Sequence, residues 1–443
     1  MKKLIELLAM ALVTINVNAQ GVGIGTATPK AAFNVAENKT VLFGRDTSGG
    51  GSKLMWIPSK LAFRAGHIGG NLPGYSQALE DSTIWDADSI GLISFATGYQ
   101  NRATQTGTIA MGTYNKSIGY HSTTIGRSNT SSGSFANSIG LGNQALADYA
   151  VCIGINNSAT DDASLAIGFG NESVGHYSTA LGNYHIAAGN YSTAIGMGNV
   201  TNSFASIAIG KNNDTIAGSN KSSWVSTDPL FIIGNGISTT TRSNAMMILK
   251  NGKTGFGTNT PAGLLHIKHN GQAANPQLVL EEAQNDYSRI SFKNANPGYW
   301  NIEAYSKPIL GNNDVAKLNF YYSANGYIFS LSGNGNATLT GTLFQNSDER
   351  LKKNITPLKN TLSKISQLNA YTYQWKDTAR GNEDQLGLLA QEVEKQFPQL
   401  VMTDGDGKKS VAYGNMVPIL LQAVKEQQQQ IDELKKLVSQ KLK

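Results

Sequence analysis

The apolar and small residues of the middle of the chain fall on a strict beat. Glycine stands at Gly98, Gly112, Gly126, Gly140, Gly154, Gly168, Gly182, Gly196 and Gly210, 14 residues apart without a slip. Two places before each glycine the residue is small, as in Ala96, Ala110, Thr124, Ser138, Cys152 and Ala166. One place before, it is aliphatic from Met111 to Ile209, with Thr97 the exception. Three places after, it is asparagine, with His185 the exception, and five places after it is small again. Fourteen residues are too few for a helix pair, but they suit one rung of two short strands and two turns. Small residues twice per rung predict a narrow interior between two sheets. Glycine and asparagine at fixed offsets predict turn positions with positive φ. Rungs spaced by roughly 4.8 Å make nine of them a rod of about 40 Å. The aliphatic stripe must face away from the small residues, because neighbours on a strand alternate. One thin roll cannot hide it, so burial against other copies of the chain is expected.

The flanking segments carry weaker patterns. Residues 20–90 read as an irregular or β segment opening with Gly21-Val22-Gly23-Ile24-Gly25-Thr26-Ala27-Thr28-Pro29, and a close copy recurs as Gly255-Phe256-Gly257-Thr258-Asn259-Thr260-Pro261. A strand-like stretch follows each copy, at Ala32 to Val35 and at Leu264 to Ile267, and Thr-Pro favours an extended or turning backbone between strands. Residues 218–346 alternate short β-like runs with turns and read as a β stalk. The runs include Leu230–Ile233, Ala245–Leu249, Leu278–Leu280, Ile290–Phe292 and Tyr327–Leu331. Asn251-Gly252, Asn270-Gly271 and Asn325-Gly326 are hairpin signals. At the end, Val417, Val424, Ile431 and Val438 fall seven apart, each followed three places later by Leu420, Gln427, Leu434 or Lys441. That a/d pattern predicts a coiled coil over 416–441 with a polar layer at Gln427, compatible with a trimer.

The pattern Ser-x-Ala-Ile-Gly at Ser164–Gly168, Ser192–Gly196 and Ser206–Gly210 resembles the head repeat of trimeric autotransporter adhesins. The resemblance covers residues 91–217. It implies a left-handed parallel β-roll, a homotrimer and a surface-display or adhesive role, but no ligand site. The membrane barrel that ends such adhesins is absent, and a different C-terminal unit takes its place.

Composition narrows the function classes. Of the 443 residues 48 are glycine and 15% are charged, with a net charge of +6. No basic run is interleaved with aromatics, so nucleic acid is not an expected partner. Residues 1–19 read as a signal peptide: Lys2 and Lys3, an apolar run interrupted by Glu6, then Val17-Asn18-Ala19. This predicts a secreted or surface protein without a transmembrane segment in the mature chain. No cysteine near the cleavage site offers a lipid anchor. The single cysteine, Cys152, reads as a small buried hydrophobe. The paired glycines Gly140–Gly142 and Gly168–Gly170 belong to the beat and lack the βαβ setting of a phosphate loop. The histidines do not cluster at metal-ligand spacing, and His185 reads as a turn residue. Asp404-Gly405-Asp406-Gly407 lacks the later glutamate of a calcium loop and reads as a hairpin turn. No cofactor or metal site is expected. Trp300, Tyr305, Tyr321 and Tyr322 fit either packing or a glycan-binding patch, leaving a surface or glycan ligand as a candidate partner.

The candidate chemistry lies at the boundary before the last hundred residues. Three motifs occur in order: Ser347-Asp348-x-Arg350-Leu351-Lys352-x-Asn354-Ile355; then Tyr371-x-Tyr373-x-Trp375 with Gly387-Leu388-Leu389-Ala390-Gln391-Glu392-Val393-Glu394 and Phe397-Pro398-x-Leu400-Val401; then Val411-Ala412-Tyr413 leading to Pro418–Glu426. Together they resemble the S74 peptidase family, the intramolecular chaperone at the C-terminus of phage tailspikes and related trimeric fibres. The resemblance implies an α+β chaperone domain over 347–443 and single-turnover self-cleavage between Asn346 and Ser347. Ser347 would be the nucleophile and Lys352 its general base, in a site that assembles only in the folded trimer. A serine hydroxyl needs a neighbour to take its proton. A lysine amine serves only when desolvation or nearby positive charge lowers its pKa. Arg350 and Lys353 flank Lys352, Asp348 can orient or cap the turn, and Asn354 completes the motif. Gln391 and Glu392 are supporting candidates that turn or trimer contacts explain equally well. The same stretch also reads as a helix N-terminus capped by Ser347, with Lys352 a solvated base. The reading as a whole is a mainly β homotrimeric fibre or adhesin-like protein. Its C-terminal domain assembles the trimer and then cuts itself free, or stays attached as a permanent clamp. A glycan-hydrolysing β-region finds no paired carboxylates to support it.

Overall fold

The structure is a computed structural model that describes residues 21–70, 81–271, 276–306 and 315–442. The expected signal peptide lies outside the described residues. The chain divides into two units, 1–277 and 278–443.

In the first unit each 14-residue beat is one rung: a five-residue strand such as Leu165–Phe169, a turn, a two-residue strand such as Glu172–Ser173, and a second turn. Long strands pair in parallel with the next rung, Gly154 opposite Gly168 and Gly168 opposite Gly182. They belong to a 16-stranded sheet, and the short strands form a second sheet of eight. The fold is mainly β, as the beat requires. The beat glycine is not the turn position expected but the fourth residue of the long strand, and it is obligatory because the strand's backbone takes φ between +92° and +130° there on every rung. A Cβ on Gly168 would fall 2.0 Å from the Gly182 carbonyl oxygen.

The interior is as narrow as expected. Ala96, Ala110, Cys152, Ala166, Ala180, Ala194 and Ala208 are fully buried, and so are Ser117, Ser131 and Ser173 from the short strands. Hydroxyls facing across it pair with each other, Ser173 with Ser178 at 2.7 Å and Ser192 with Thr201 at 2.8 Å. The Cys152 thiol donates to the Gln144 carbonyl at 3.2 Å, and burial pushes its pKa up to about 12. It is a packing residue.

The repeated asparagine departs from its expected role. Positive φ belongs to the residue before it, as at Gln100, Tyr114 and Asn156, while the asparagine itself points inward. Asn157 shows why. Its amide donates to the carbonyls of Ile153 (3.0 Å) and Gly168 (2.8 Å) and to the side chain of Asn143 (3.0 Å). Its own oxygen accepts from the backbone and side-chain nitrogens of Asn171. A narrow roll leaves carbonyls at its corner in need of donors, and a buried amide is a short side chain that offers two N–H donors and an acceptor at once. His185 is likewise a ladder member and not merely a turn residue. It is fully buried, its Nδ1 accepts from the Asn199 backbone at 3.1 Å, and burial lowers its pKa.

Larger side chains close the roll at both ends. Gly66 pairs with Gly98, which puts Arg64 opposite Ala96 at the interior position. Arg64 is completely buried and gives four hydrogen bonds, to Phe63 O, Ser94 O, Ser94 Oγ and Ala103 O. Desolvation lowers its pKa to about 10. Trp85, fully buried in a cluster with Met55, Ile68 and Ala96, donates to the Asn101 carbonyl at 2.8 Å. At the other end Gly234 pairs with Gly210, and Ile232 stands opposite Ala208 over Met247. The segment expected to be irregular thus contains regular strands, Gly51–Ile57 and Ala62–Ile68, that cap the array. The two glycine-threonine-proline stretches form the same element: Val22–Ile24 pairs in parallel with Phe33–Val35, and Thr254–Phe256 with Leu265–Ile267.

Outside the roll the aliphatic stripe is uncovered in the single chain. Ile125, Ile139, Ile153 and Ile195 are each 37–39% exposed.

In the second unit a five-stranded antiparallel meander runs from Ser288 to Leu339. Its turn at Asn325-Gly326 is a hairpin, as is the turn at Asn251-Gly252 in the first unit. Asn270-Gly271 joins no strand pair among the described residues, and Leu278–Leu280 is not a strand. Trp300 packs on Tyr322 and Tyr299 on Tyr321 across neighbouring strands. The last hundred residues contain helices α1 (Thr361–Ile365), α2 (Ala390–Gln396) and α3 (Met416–Lys441) and two short hairpins. Asp404–Gly407 turns the second hairpin, its Asp404 carboxylate accepting from the backbone of Asp406 and Lys408.

Candidate functional site

Residues 341–360 are exposed throughout and irregular but for one turn of 3-10 helix, Glu349–Leu351. Asp348 starts that turn. Its side chain accepts from the Arg350 backbone nitrogen at 2.9 Å and forms a 2.6 Å ion pair with the Arg350 guanidinium. The guanidinium holds the Asp348 carboxyl below the usual carboxylate range. With Arg350 88% exposed, this pair adds little to stability. Its effect is local: it fixes the turn that joins Ser347 to Lys352.

The turn brings those two side chains together across five residues. Lys352 Nζ donates to Ser347 Oγ at 2.8 Å and to the Ser347 carbonyl at 3.0 Å. Both residues are exposed. Asn346 precedes them in the same exposed strip, and Asn354 follows in the left-handed region with φ of 55°. The single chain therefore supplies a hydroxyl and an amine at contact distance, but no wall to keep water from them.

Gln391 and Glu392 stand elsewhere, in the first turn of α2. Gln391 is exposed. Glu392 accepts from the Tyr371 hydroxyl at 2.6 Å and from the Asn369 backbone at 3.3 Å. The Tyr371 hydroxyl lowers the pKa of Glu392, and the carboxylate in turn raises that of Tyr371. The second and third motifs meet here, since the Tyr413 hydroxyl accepts from the Leu388 backbone at 2.9 Å. Their apolar residues build one core, with Val393, Phe397 and Leu400 packed against Met416 and Ile419 of α3.

One functional contact was not visible in the sequence. Glu426, on α3, accepts from the backbone nitrogens of Thr361 (3.2 Å) and Leu362 (2.9 Å) and so caps α1 from 64 residues away. No local capping signal could reveal it, because the cap comes from another helix. The Leu362 backbone bond holds the Glu426 pKa below its ordinary value. A depressed carboxylate stabilises the fold above its unfolded pKa and loses that contribution as pH falls through the folded one. Glu426→Gln is therefore expected to lower the melting temperature of the full chain's C-terminal unit at pH 7. The difference should close as pH falls below about 4, and a gap unchanged down to pH 3 would rule out the charged cap.

Residues 347–402 match the family described as chaperone of endosialidase. Residues 94–115, 145–171 and 173–199 match the YadA head domain repeat. Among curated proteins, the chain is 34% identical over 110 residues to the long tail fiber protein Gp37 of Salmonella phage S16, covering 23% of this chain and 15% of the relative. It is 31% identical over 130 residues to the Gp37 of Enterobacteria phage Ox2, covering 27% of this chain and 48% of the relative. The aligned stretch thus spans under half the length of either relative. Among the described residues no helix is long and apolar enough to cross a membrane. The chain joins repeats of the YadA-head type to a C-terminal segment of the chaperone-of-endosialidase type.

Proposed function

We propose that the protein is a homotrimeric fibre or adhesin-like surface protein whose C-terminal segment directs trimer assembly and then cuts the chain between Asn346 and Ser347. The assembly role rests on the match at 347–402 and on two uncovered apolar surfaces, the aliphatic stripe of the repeats and the outer face of α3. Surface or extracellular placement rests on the kinship with tail fibers and adhesin heads. The boundaries that follow are 91–217 for the repeats, 218–346 for the stalk and 347–443 for the chaperone.

The observation that carries the cut is the 2.8 Å contact between Lys352 Nζ and Ser347 Oγ. In the reaction Lys352, as a free amine, takes the hydroxyl proton while Ser347 Oγ attacks the Asn346 carbonyl carbon. The Asn346–Ser347 amide breaks, its nitrogen leaves as the new amino terminus with a proton, and an ester to Oγ remains. Water hydrolyses that ester and frees the Asn346 carboxylate. A lysine works as a base when shielded from water. The single chain leaves the pair exposed, so neighbouring chains of the trimer are the source of that shielding. Asp348 and Arg350 hold the turn, and the cut is a single turnover.

A second reading, the permanent clamp, is favoured by the exposure of the pair and by the capped turn. Intact mass of the purified, denatured protein separates the two. Self-cleavage gives two fragments meeting between Asn346 and Ser347, with Ser347→Ala and Lys352→Ala whole. A wild-type chain that trimerises and stays whole discards the cut and leaves the clamp.

A further inference from the structure

One turn position of the repeats carries aromatic rings on the outside of the roll. His121, Phe135 and Tyr149 hold it on three successive rungs, and Tyr177 and Tyr191 on two later ones. The rings stack along the rod. His121 lies 5.2 Å from Phe135, Phe135 lies 5.2 Å from Tyr149, and Tyr177 lies 5.1 Å from Tyr191, with planes within 11° of parallel. Between the two groups the position is Ala163. Its rung is intact: the Ala163 nitrogen donates to Asp148 O at 2.8 Å and the Tyr177 nitrogen to Asp162 O at 3.0 Å. Tyr149 and Tyr177 are thus two rungs apart, about 10 Å at the usual strand spacing. That is twice the stacking distance on either side, so one ring is missing from an otherwise continuous column. The column's ends differ from this gap. Phe204 closes the far side of Tyr191 edge-on at 5.5 Å, and the His121 ring covers Gly107. Tyr149 and Tyr177 remain 60% and 56% exposed.

The charge at the gap is as uneven as the stacking. Between Thr97 and Gly210 the chain has four acidic residues, Asp148, Asp161, Asp162 and Glu172; Asp148 lies on the turn of the preceding rung, and Asp161 and Asp162 on the turn that carries Ala163 itself. The three basic residues of the same stretch, Arg102, Lys116 and Arg127, lie on earlier rungs. Asp148 Oδ1 accepts from the Ser134 backbone and Asp161 Oδ1 from the Asp162 backbone. His176 faces the gap's acidic side, its Nε2 3.3 Å from Asp161 Oδ1.

We propose that the slot over Ala163, between Tyr149 and Tyr177, clasps the guanidinium of an arginine side chain from a protein partner. A guanidinium is flat and as thin as a ring, stacks on aromatic faces, and pairs with carboxylates through its edge. A lysine ammonium has the charge but no face to stack. A neutral sugar ring has a face but gains nothing from the two aspartates on the Ala163 turn. The column holds its two flanking rings in place, so the guest does not have to order them.

The test uses the full-length protein labelled with 3-fluorotyrosine, its Tyr149 and Tyr177 fluorine signals assigned by Tyr→Phe variants. The probe is N-acetyl-arginine amide. Saturable shifts of both signals are expected at concentrations on the order of 10 mM, in keeping with one small ligand held by two ring faces. N-acetyl-lysine amide should bind at least about fivefold more weakly, and Asp162→Asn should weaken arginine by roughly threefold. Ala163→Tyr, which supplies the missing ring at a position where tyrosine already stands on neighbouring rungs, should abolish the response while keeping the wild-type melting temperature. The proposal is overturned by non-saturating shifts, by saturation unchanged in Ala163→Tyr or, should that variant not fold, in Asp162→Asn, or by methyl glucoside saturating the slot where arginine amide does not.

Discussion

Asn157→Leu is expected to melt the repeat array about 10–20 °C below the wild type. Leucine keeps the branching of asparagine but is larger, so crowding in the narrow interior adds to the loss of hydrogen bonds. The Ile153 and Gly168 carbonyls lose the donor that Asn157 gives them, Asn143 loses a partner for its side-chain oxygen, and the Asn171 backbone nitrogen loses its acceptor. The contacts to Asn143 and Asn171 are buried and those to the Ile153 and Gly168 carbonyls part-buried, with Asn157 itself only 1% exposed. Each buried group left unpaired costs about 1–3 kcal/mol; the Asn143 oxygen keeps the residue-157 backbone nitrogen, so the four losses fall at the low end of that range and sum to roughly 4–6 kcal/mol. For an array of this size each kcal/mol shifts the melting point by about 2–4 °C. Asn157→His should be milder, since a histidine already stands in the ladder at residue 185. Circular dichroism of the full chain during heating reads both variants. A leucine variant that melts with the wild type would show the ladder to be decoration on a roll held by its small apolar residues.

The second large effect concerns α3, whose two faces are expected to answer differently. Ile419 is 3% exposed in the core with Val393, Phe397 and Leu400. Truncating it to alanine should cost about 2–5 kcal/mol and unfold the C-terminal unit at a lower temperature. Val424 is 61% exposed one turn away, on the seam with Ile431 and Val438. Val424→Lys touches no core, so the folded unit should survive. If the seam joins three chains, lysines at an a position bring three like charges together, and the trimer should dissociate to monomer in sedimentation at micromolar concentration. A trimer that persists in Val424→Lys would mean that α3 faces solvent and that the aliphatic stripe alone holds the chains.

The periodic parts of this molecule were legible because one physical rule repeats. A rung that must stack on its copy puts glycine, a small residue and asparagine at the same phase every time, and nine repetitions make the phase unmistakable. The purpose of the asparagine was harder to read. A turn asparagine and an interior asparagine have the same spacing, and only the neighbouring positive-φ residues, as varied as Gln100, Tyr114 and Asn156, separate them. The capping rungs were hidden for a different reason. Gly66 and Gly234 keep the phase in space but not along the chain, because insertions stand between them and Gly98 or Gly210. Nothing in the sequence marks Arg64 as an interior residue, although it is buried there on four oxygen acceptors. At the candidate site the spacing of Ser347 and Lys352 foretold that a turn could join them. The Glu426 cap on α1 was out of reach, since no pattern in a sequence links residues that far apart without a known fold.

Strands that pair in register with near-identical neighbours make the roll a ruler. Recombination between copies adds or removes 14 residues, and every glycine still meets a glycine and every asparagine an asparagine across the new seam. Reach can then change in steps of about 4.8 Å while both caps stay as they are. Such a lineage can try many lengths without first solving a new folding problem. Rungs with distinctive residues, such as the one at Ala163, would be marks on that ruler, and their distance from either end would record which copies were gained.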